Sequence, residues 1–198
     1  MRDNDLTTAI GARVKHERRA RNWTLDVLAA ESGVSRRMIV SIEQGAANPS
    51  VGTLLRISDA LGLGLPALVE PPPTQAVRVI RQGDGAILWQ GEAGGRGVLV
   101  AGTGAPDVAE LWDWTLAPGE RHDAEAHTAG TEELLLVRQG TVEITVGESV
   151  IRLRRGDAAS FSGAIDHSYS NVGTSRAHFC LAVFEPGVGE KRKDGRNG

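Results

Sequence analysis

The sequence predicts two domains, an all-α N-terminal bundle followed by an all-β barrel, and three observations carry that prediction. Residues 1–70 carry apolar side chains at helical spacing, whereas 77–187 alternate Val, Leu and Ile at period two between Gly-rich breaks. Between them lies Glu70-Pro71-Pro72-Pro73-Thr74-Gln75. Consecutive prolines neither continue a helix nor donate ladder hydrogen bonds, so 71–76 reads as a stiff, extended linker. With 198 residues the chain has room for two small domains. The expected division is a helical domain over 1–70, the linker 71–76, a barrel over 77–187 and a basic, disordered tail over 188–198.

In the first domain Thr7 or Thr8 is the expected cap of an opening helix that buries Ile10 and Val14 and crowds Arg18, Arg19 and Arg21 near its C-terminus. Thr24 caps a second helix with Leu25, Leu28 and Ala29 on one side, and Gly33 ends it as a left-handed cap. Ser35 caps a third helix running to Gln44. Its Ile39 and Ile42 point inward while Arg36, Arg37, Val40, Ser41 and Gln44 share the opposite face. Asn48-Pro49-Ser50 turns the chain into a fourth helix over 51–62, and 65–69 makes a short fifth.

Residues 10–68, and above all Leu25–Gln44 with Gly33-Val34-Ser35 and Ile42-Glu43-Gln44-Gly45 at their spacing, resemble the lambda-repressor-like (XRE) helix-turn-helix family. The resemblance implies that the third helix enters the major groove of operator DNA, with Arg36, Arg37 and Ser41 at base-contacting positions. An Arg fork can contact guanine O6 and N7 together, worth about 1–3 kcal/mol of discrimination. The resemblance also places Thr24, Gln44 and Asn48 at phosphate-contacting positions, and makes Arg18 and Glu43 a structural ion pair between the first and third helices.

In the second domain short period-two runs fall at 77–81, 86–90, 97–101, 108–116, 133–138, 142–146, 149–153, 158–161 and 176–185, with Gly, Pro, Asp or Asn between them. Strands at that spacing, without a helical pattern, predict an antiparallel barrel or jelly roll. Trp112, Trp114, Phe161 and Tyr169 are expected to fill it, Cys180 to be a small buried residue, His122 to sit in a turn and His178 in a strand.

The segment from Pro118-Gly119 through His127-Thr128-Ala129-Gly130-Thr131-Glu132-Glu133 to Gly140 resembles the first cupin motif, and Gly156–Asn171 the second. The likeness implies the double-stranded β-helix fold and places His127, Glu133 and His167 at three of the four metal-ligand positions. Ala129 stands at the fourth, where His is usual. Two His and one carboxylate still make a three-ligand set for a divalent metal (Zn, Fe, Mn or Ni), and the same residues line the expected small-molecule pocket.

Joined on one chain, the two likenesses imply a transcriptional regulator whose barrel senses a small-molecule effector and whose dimer, held by the barrels, reads two operator half-sites about 34 Å apart. The alternative is a metal-dependent cupin enzyme, an oxygenase or isomerase, carrying a helix-turn-helix domain; Ala129 counts against it. The net charge of −3 does not exclude DNA, because residues 1–70 hold nine Lys/Arg against eight Asp/Glu and only the face meeting phosphate matters. One cysteine excludes an internal disulfide, and the lack of a long apolar run or signal-peptide core predicts a cytoplasmic protein with no membrane partner.

Overall fold

The computed structural model describes residues 3–70 and 77–189; the expected linker 71–76 and residues 190–198 of the expected tail lie outside the described residues. The helical part comprises α1 (Asp3–Ala20), α2 (Leu25–Ser32), α3 (Arg36–Glu43), α4 (Val51–Leu61) and α5 (Leu65–Val69). Three helices are capped as their sequences dictate: Thr24, Ser35 and Ser50 accept from the amides of Val27, Met38 and Thr53 at 3.2, 3.3 and 3.2 Å. The first helix differs from expectation, since it begins at Asp3 and runs through Thr7 and Thr8 rather than starting at them. Gly11 lets α1 cross α3 closely, because a Cβ there would stand 2.1 Å from the Ile42 carbonyl oxygen.

The β part holds β1 (Ala86–Gln90), β2 (Arg96–Gly102), β3 (Val108–Leu116), β4 (Arg121–Ala124), β5 (Glu132–Gln139), β6 (Thr141–Val146), β7 (Ser149–Arg154), β8 (Ala158–Ser162), β9 (His167–Ser170) and β10 (Ala177–Glu185). They form two antiparallel sheets, ordered β1-β2-β3-β10-β5-β8 and β4-β9-β6-β7. This is the double-stranded β-helix of the cupins, packed face to face over an apolar interior. Two expectations fail at the level of elements. Residues 77–81 form no strand, and Val77 and Val79 stay 72% and 61% exposed because they have nothing to pack on. Conversely β4 and β9 were not foreseen, because Arg121-His122-Asp123-Ala124 and His167-Ser168-Tyr169-Ser170 carry no apolar alternation.

The buried apolar side chains form one continuous cluster that runs from Leu6 in α1 to Val183 in β10. α5, with Leu65 and Leu68 buried, sits against the barrel. A Cβ on Gly102 of β2 would lie 2.1 Å from Pro66 Cγ, and one on Gly64 would lie 2.6 Å from Val108 Cγ2, so these glycines set how closely helix and sheet approach. Arg56 of α4 pairs with Glu125 beyond β4. The chain stays packed through Val188, whose amide bonds Pro106 O at 2.7 Å, and Gly189, which abuts the α4 cap Gly62.

Candidate functional site

Arg36 and Arg37 are exposed on the first turn of α3, and Ser41 follows half-buried on the same helix. Ile39 and Ile42, fully buried, hold the opposite face on the bundle core, which fixes the outward direction of the arginines. Arg36 Nε lies 3.1 Å from Asp26 Oδ1 of α2, an exposed pair that water screens. Thr24, at the N-terminus of α2, Gln44, at the C-terminus of α3, and Asn48, in the following loop, are all exposed. Arg18 and Glu43 are joined by two hydrogen bonds at 2.6 and 2.8 Å.

In the barrel the sheet registers bring together residues far apart in sequence. Val183 of β10 stands opposite Glu110 of β3 on one side and Glu133 of β5 on the other. All three share the inward parity, so two carboxylates face an otherwise apolar interior. His167 enters from β9 in the facing sheet, and His127 from the loop after β4, pinned by its amide to Gly163 O at 2.9 Å. Gly163 leaves the space Glu133 needs, since a Cβ there would be 3.0 Å from Glu133 Oε1.

His127, Glu133 and His167 thus converge as expected, with one ligand atom from each within 4.8 Å of the others. Glu133 Oε1 lies 3.2 Å from His127 Nε2 and 3.1 Å from His167 Nε2, yet neither Glu133 Oε1 nor His167 Nε2 has a hydrogen-bond partner. The three atoms thus converge on one point. Ligands about 2.0–2.2 Å from a metal stand about 3 Å or a little more from one another, so the set fits a divalent ion. The surroundings fit as well. His167 Nδ1 is 2.7 Å from Ile165 O, a contact that as a donor to the carbonyl leaves Nε2 bare; His127 Nδ1 faces Glu185 Oε1 at 3.7 Å; and the Tyr169 hydroxyl donates to Glu133 Oε2. Ala129 is exposed on the loop and contributes nothing.

Burial alone would push the Glu133 carboxyl up, but His127, His167 and Tyr169 hold it down to about 2, so it is ionised. Burial opposes the charged form of His167, while Glu133 raises its affinity for a proton. Glu110 behaves oppositely: burial, then Glu185, pushes it up to about 8, against a hydrogen bond from Trp112 Nε1 at 2.8 Å. Glu185 is pushed up to about 7 by burial and then by Asp59 of α4.

The cavity at this point is about 150 Å³. The triad, Glu110, Trp89, Trp112, Trp114, His122 and Tyr169 line it from the barrel, and Ser50, Val51, Gly52 and Leu55 close it from α4. Several of these lay beyond the sequence reading. His122 is a strand residue of β4 rather than a turn residue, its ring 4.7 Å from that of Trp114, and burial lowers it to about 4, so it is neutral at pH 7. Trp112, Trp114 and Tyr169 are buried as expected and also line the cavity. Cys180 is half-buried on β10 rather than buried. His178 is the strand residue expected and pairs with Asp113. Glu110 and Glu185 were legible in principle, as carboxylates at the inward parity of apolar strands; the α4 wall was not, since it depends on how the two domains dock.

Fold and site define a helix-turn-helix transcriptional regulator that carries a cupin barrel. A helix-turn-helix family model matches residues 14–68, and a cupin-domain model matches residues 112–184. The HTH-type transcriptional regulator SutR of Escherichia coli (strain K12) is 24% identical over 183 residues, covering 92% of this chain and 98% of its own length. The uncharacterized HTH-type transcriptional regulator y4dJ of Sinorhizobium fredii is 34% identical over 67 residues, 34% of this chain and 87% of its own. The crystal structure of an HTH_3 family transcriptional regulator from Vibrio cholerae shares the fold, with a TM-score of 0.70 at 23% identity over 93% of this chain and 99% of that one. The chain belongs to the XRE-type helix-turn-helix transcriptional regulators and pairs that domain with a cupin domain.

Proposed function

We propose that this chain is a cytoplasmic, sequence-specific regulator that binds operator DNA as a homodimer and changes its operator affinity when a small molecule occupies the barrel cavity. The observation that carries this reading is the shared wall. α4, one element beyond the reading helix α3, lines the same cavity as His127, Glu133 and His167. An occupant therefore touches the DNA-binding domain itself. It shifts operator affinity to the extent that it binds the docked arrangement of α4 and other arrangements unequally.

On the DNA side, Arg36, Arg37 and Ser41 read base edges while Thr24, Gln44 and Asn48 contact phosphates. For the dimer, support comes from the outer face of the larger sheet. Leu111, Ala182 and Leu134 form one cross-strand row there, and Leu111, Leu134, Leu136 and Phe184 are 47%, 58%, 37% and 44% exposed. A second copy would cover this apolar patch. His127, Glu133 and His167 would hold a divalent metal, which when bound supplies open coordination positions for an oxygen- or nitrogen-bearing group. Among the described residues no helix is long and apolar enough to cross a membrane.

The test is titration of operator affinity with candidate metabolites by fluorescence anisotropy. The reading expects at least one that saturates the cavity and moves the operator Kd tenfold or more. Saturation of the cavity without any change in Kd would sink it.

A further inference from the structure

The carboxylates beyond the triad lack what buried carboxylates normally have. Glu110 and Glu185 are 3% and 1% exposed, and Asp59 of α4 is near enough for its charge to raise both. Glu110 Oε1, Glu185 Oε2 and Asp59 Oδ1 are each buried without a hydrogen-bond partner. An acceptor left so is destabilising, because its desolvation goes uncompensated. Glu110 lines the cavity directly. The cavity therefore presents a buried carboxyl oxygen of Glu110 without a partner, and among the described residues no Lys or Arg lines it.

A metal ion does not answer these groups. Only His127, Glu133 and His167 bring three ligand atoms within 4.8 Å among the described residues, so Asp59, Glu110 and Glu185 are too far apart to share one ion. A polyatomic cation with several N–H donors is not so constrained. The walls suit one, since Trp89, Trp112 and Trp114 lie with ring centroids 5.5 and 5.8 Å apart in sequence along the cavity, and tryptophan faces attract cations. Val51 and Leu55 of α4 add apolar surface. A cavity of about 150 Å³ takes a molecule the size of benzene, about six non-hydrogen atoms.

We infer that the cavity between α4 and the barrel is a binding site for a small alkylammonium, whose N–H groups donate to Glu110 and whose carbon chain lies against the tryptophans and Val51 and Leu55. This names the class of effector in the regulator reading and rests on that reading only for its consequence at DNA. The bound cation supplies the donor that Glu110 Oε1 lacks and, by its charge, favours the ionised carboxylate that burial disfavours. Because α4 is one wall, the ligand holds the DNA-binding domain against the barrel.

Calorimetry on the full chain, dialysed against chelator, tests this with n-butylamine, 1-butanol and butyrate at pH 8. Butylammonium should bind with a Kd at least tenfold below that of butanol, butyrate should give no binding heat, and E110Q should weaken butylammonium at least tenfold without lowering Tm. Should E110Q fail to fold, Val51→Lys places an ammonium at the α4 wall and should abolish butylammonium binding. Equal binding of amine and alcohol, preference for butyrate, or indifference to both substitutions would overturn the site. Operator affinity measured in parallel separates the two readings. Amine binding that leaves operator affinity unchanged keeps the cation site and sinks the regulation. Operator affinity that responds to another metabolite, with no amine binding, keeps the regulation and sinks the cation site.

Discussion

Arg18 donates from Nε and Nη2 to the two carboxylate oxygens of Glu43 at 2.6 and 2.8 Å, and from Nη1 to the Trp23 carbonyl at 2.8 Å. The fork ties α1, the turn after it and the last residue of α3 into one unit. Both side chains are almost buried, at 10% and 7% exposure. Glu43→Ala should therefore leave a buried guanidinium unpaired and cost about 3 kcal/mol. Urea denaturation of the full chain measures this; a loss under about 1 kcal/mol would show the pair to be ornamental.

Arg36 and Arg37 leave the same helix at its exposed end. Their joint replacement by Ala removes two guanidinium forks at about 1–3 kcal/mol of discrimination each. Specific operator affinity should fall a hundredfold or more while Tm stays within a degree or two. Competition with non-specific duplex reads the ratio, and a retained sequence preference would remove α3 from its role.

The His127, Glu133 and His167 set should bind a divalent metal when the chain is purified without chelator, and His167→Ala should remove it. Elemental analysis for Zn, Fe, Mn, Ni and Cu on both proteins checks this. Equal metal content in the two would place the ion elsewhere.

Stability should fall as pH rises from 5 to 8. Burial lifts Glu110 from 4.5 to about 8 in the folded chain, so the folded state keeps a proton that the unfolded state has already released. Its contribution is fully present below about 4.5 and is lost as pH passes about 8. Glu185, pushed up to about 7, acts in the same direction, whereas Glu133, held down to about 2, matters only on the acid side. Glu110→Gln should reduce the loss between pH 5 and 8 by more than about 1 kcal/mol. Chemical denaturation across that range decides; a slope unchanged by the substitution would contradict the assignment.

Much of this was legible in the residues. Thr24 and Ser35 mark two helix starts because a hydroxyl before an apolar stripe satisfies orphan amides, and motif spacing alone singles out His127, Glu133 and His167. What escaped had physical causes. β4 and β9 are four residues each and polar, with His122, His167 and Tyr169 on the cavity, so they lack the apolar alternation that betrays a half-buried strand. Residues 77–81 showed that alternation and found no partner strand, because pairing is decided by the sheet and not by the segment. The α4 wall, with Val51, Gly52 and Leu55 on the cavity, exists only once the bundle docks on the barrel, and no local pattern encodes that contact.

The full chain is expected to read a symmetric DNA site through α3. Selection of bound duplexes from a random pool tests it most directly. The account expects enrichment of a two-fold symmetric sequence with G-containing half-sites whose centres lie about 34 Å, one helical turn, apart. Bound DNA without any enriched sequence, or none bound at low salt, would contradict it.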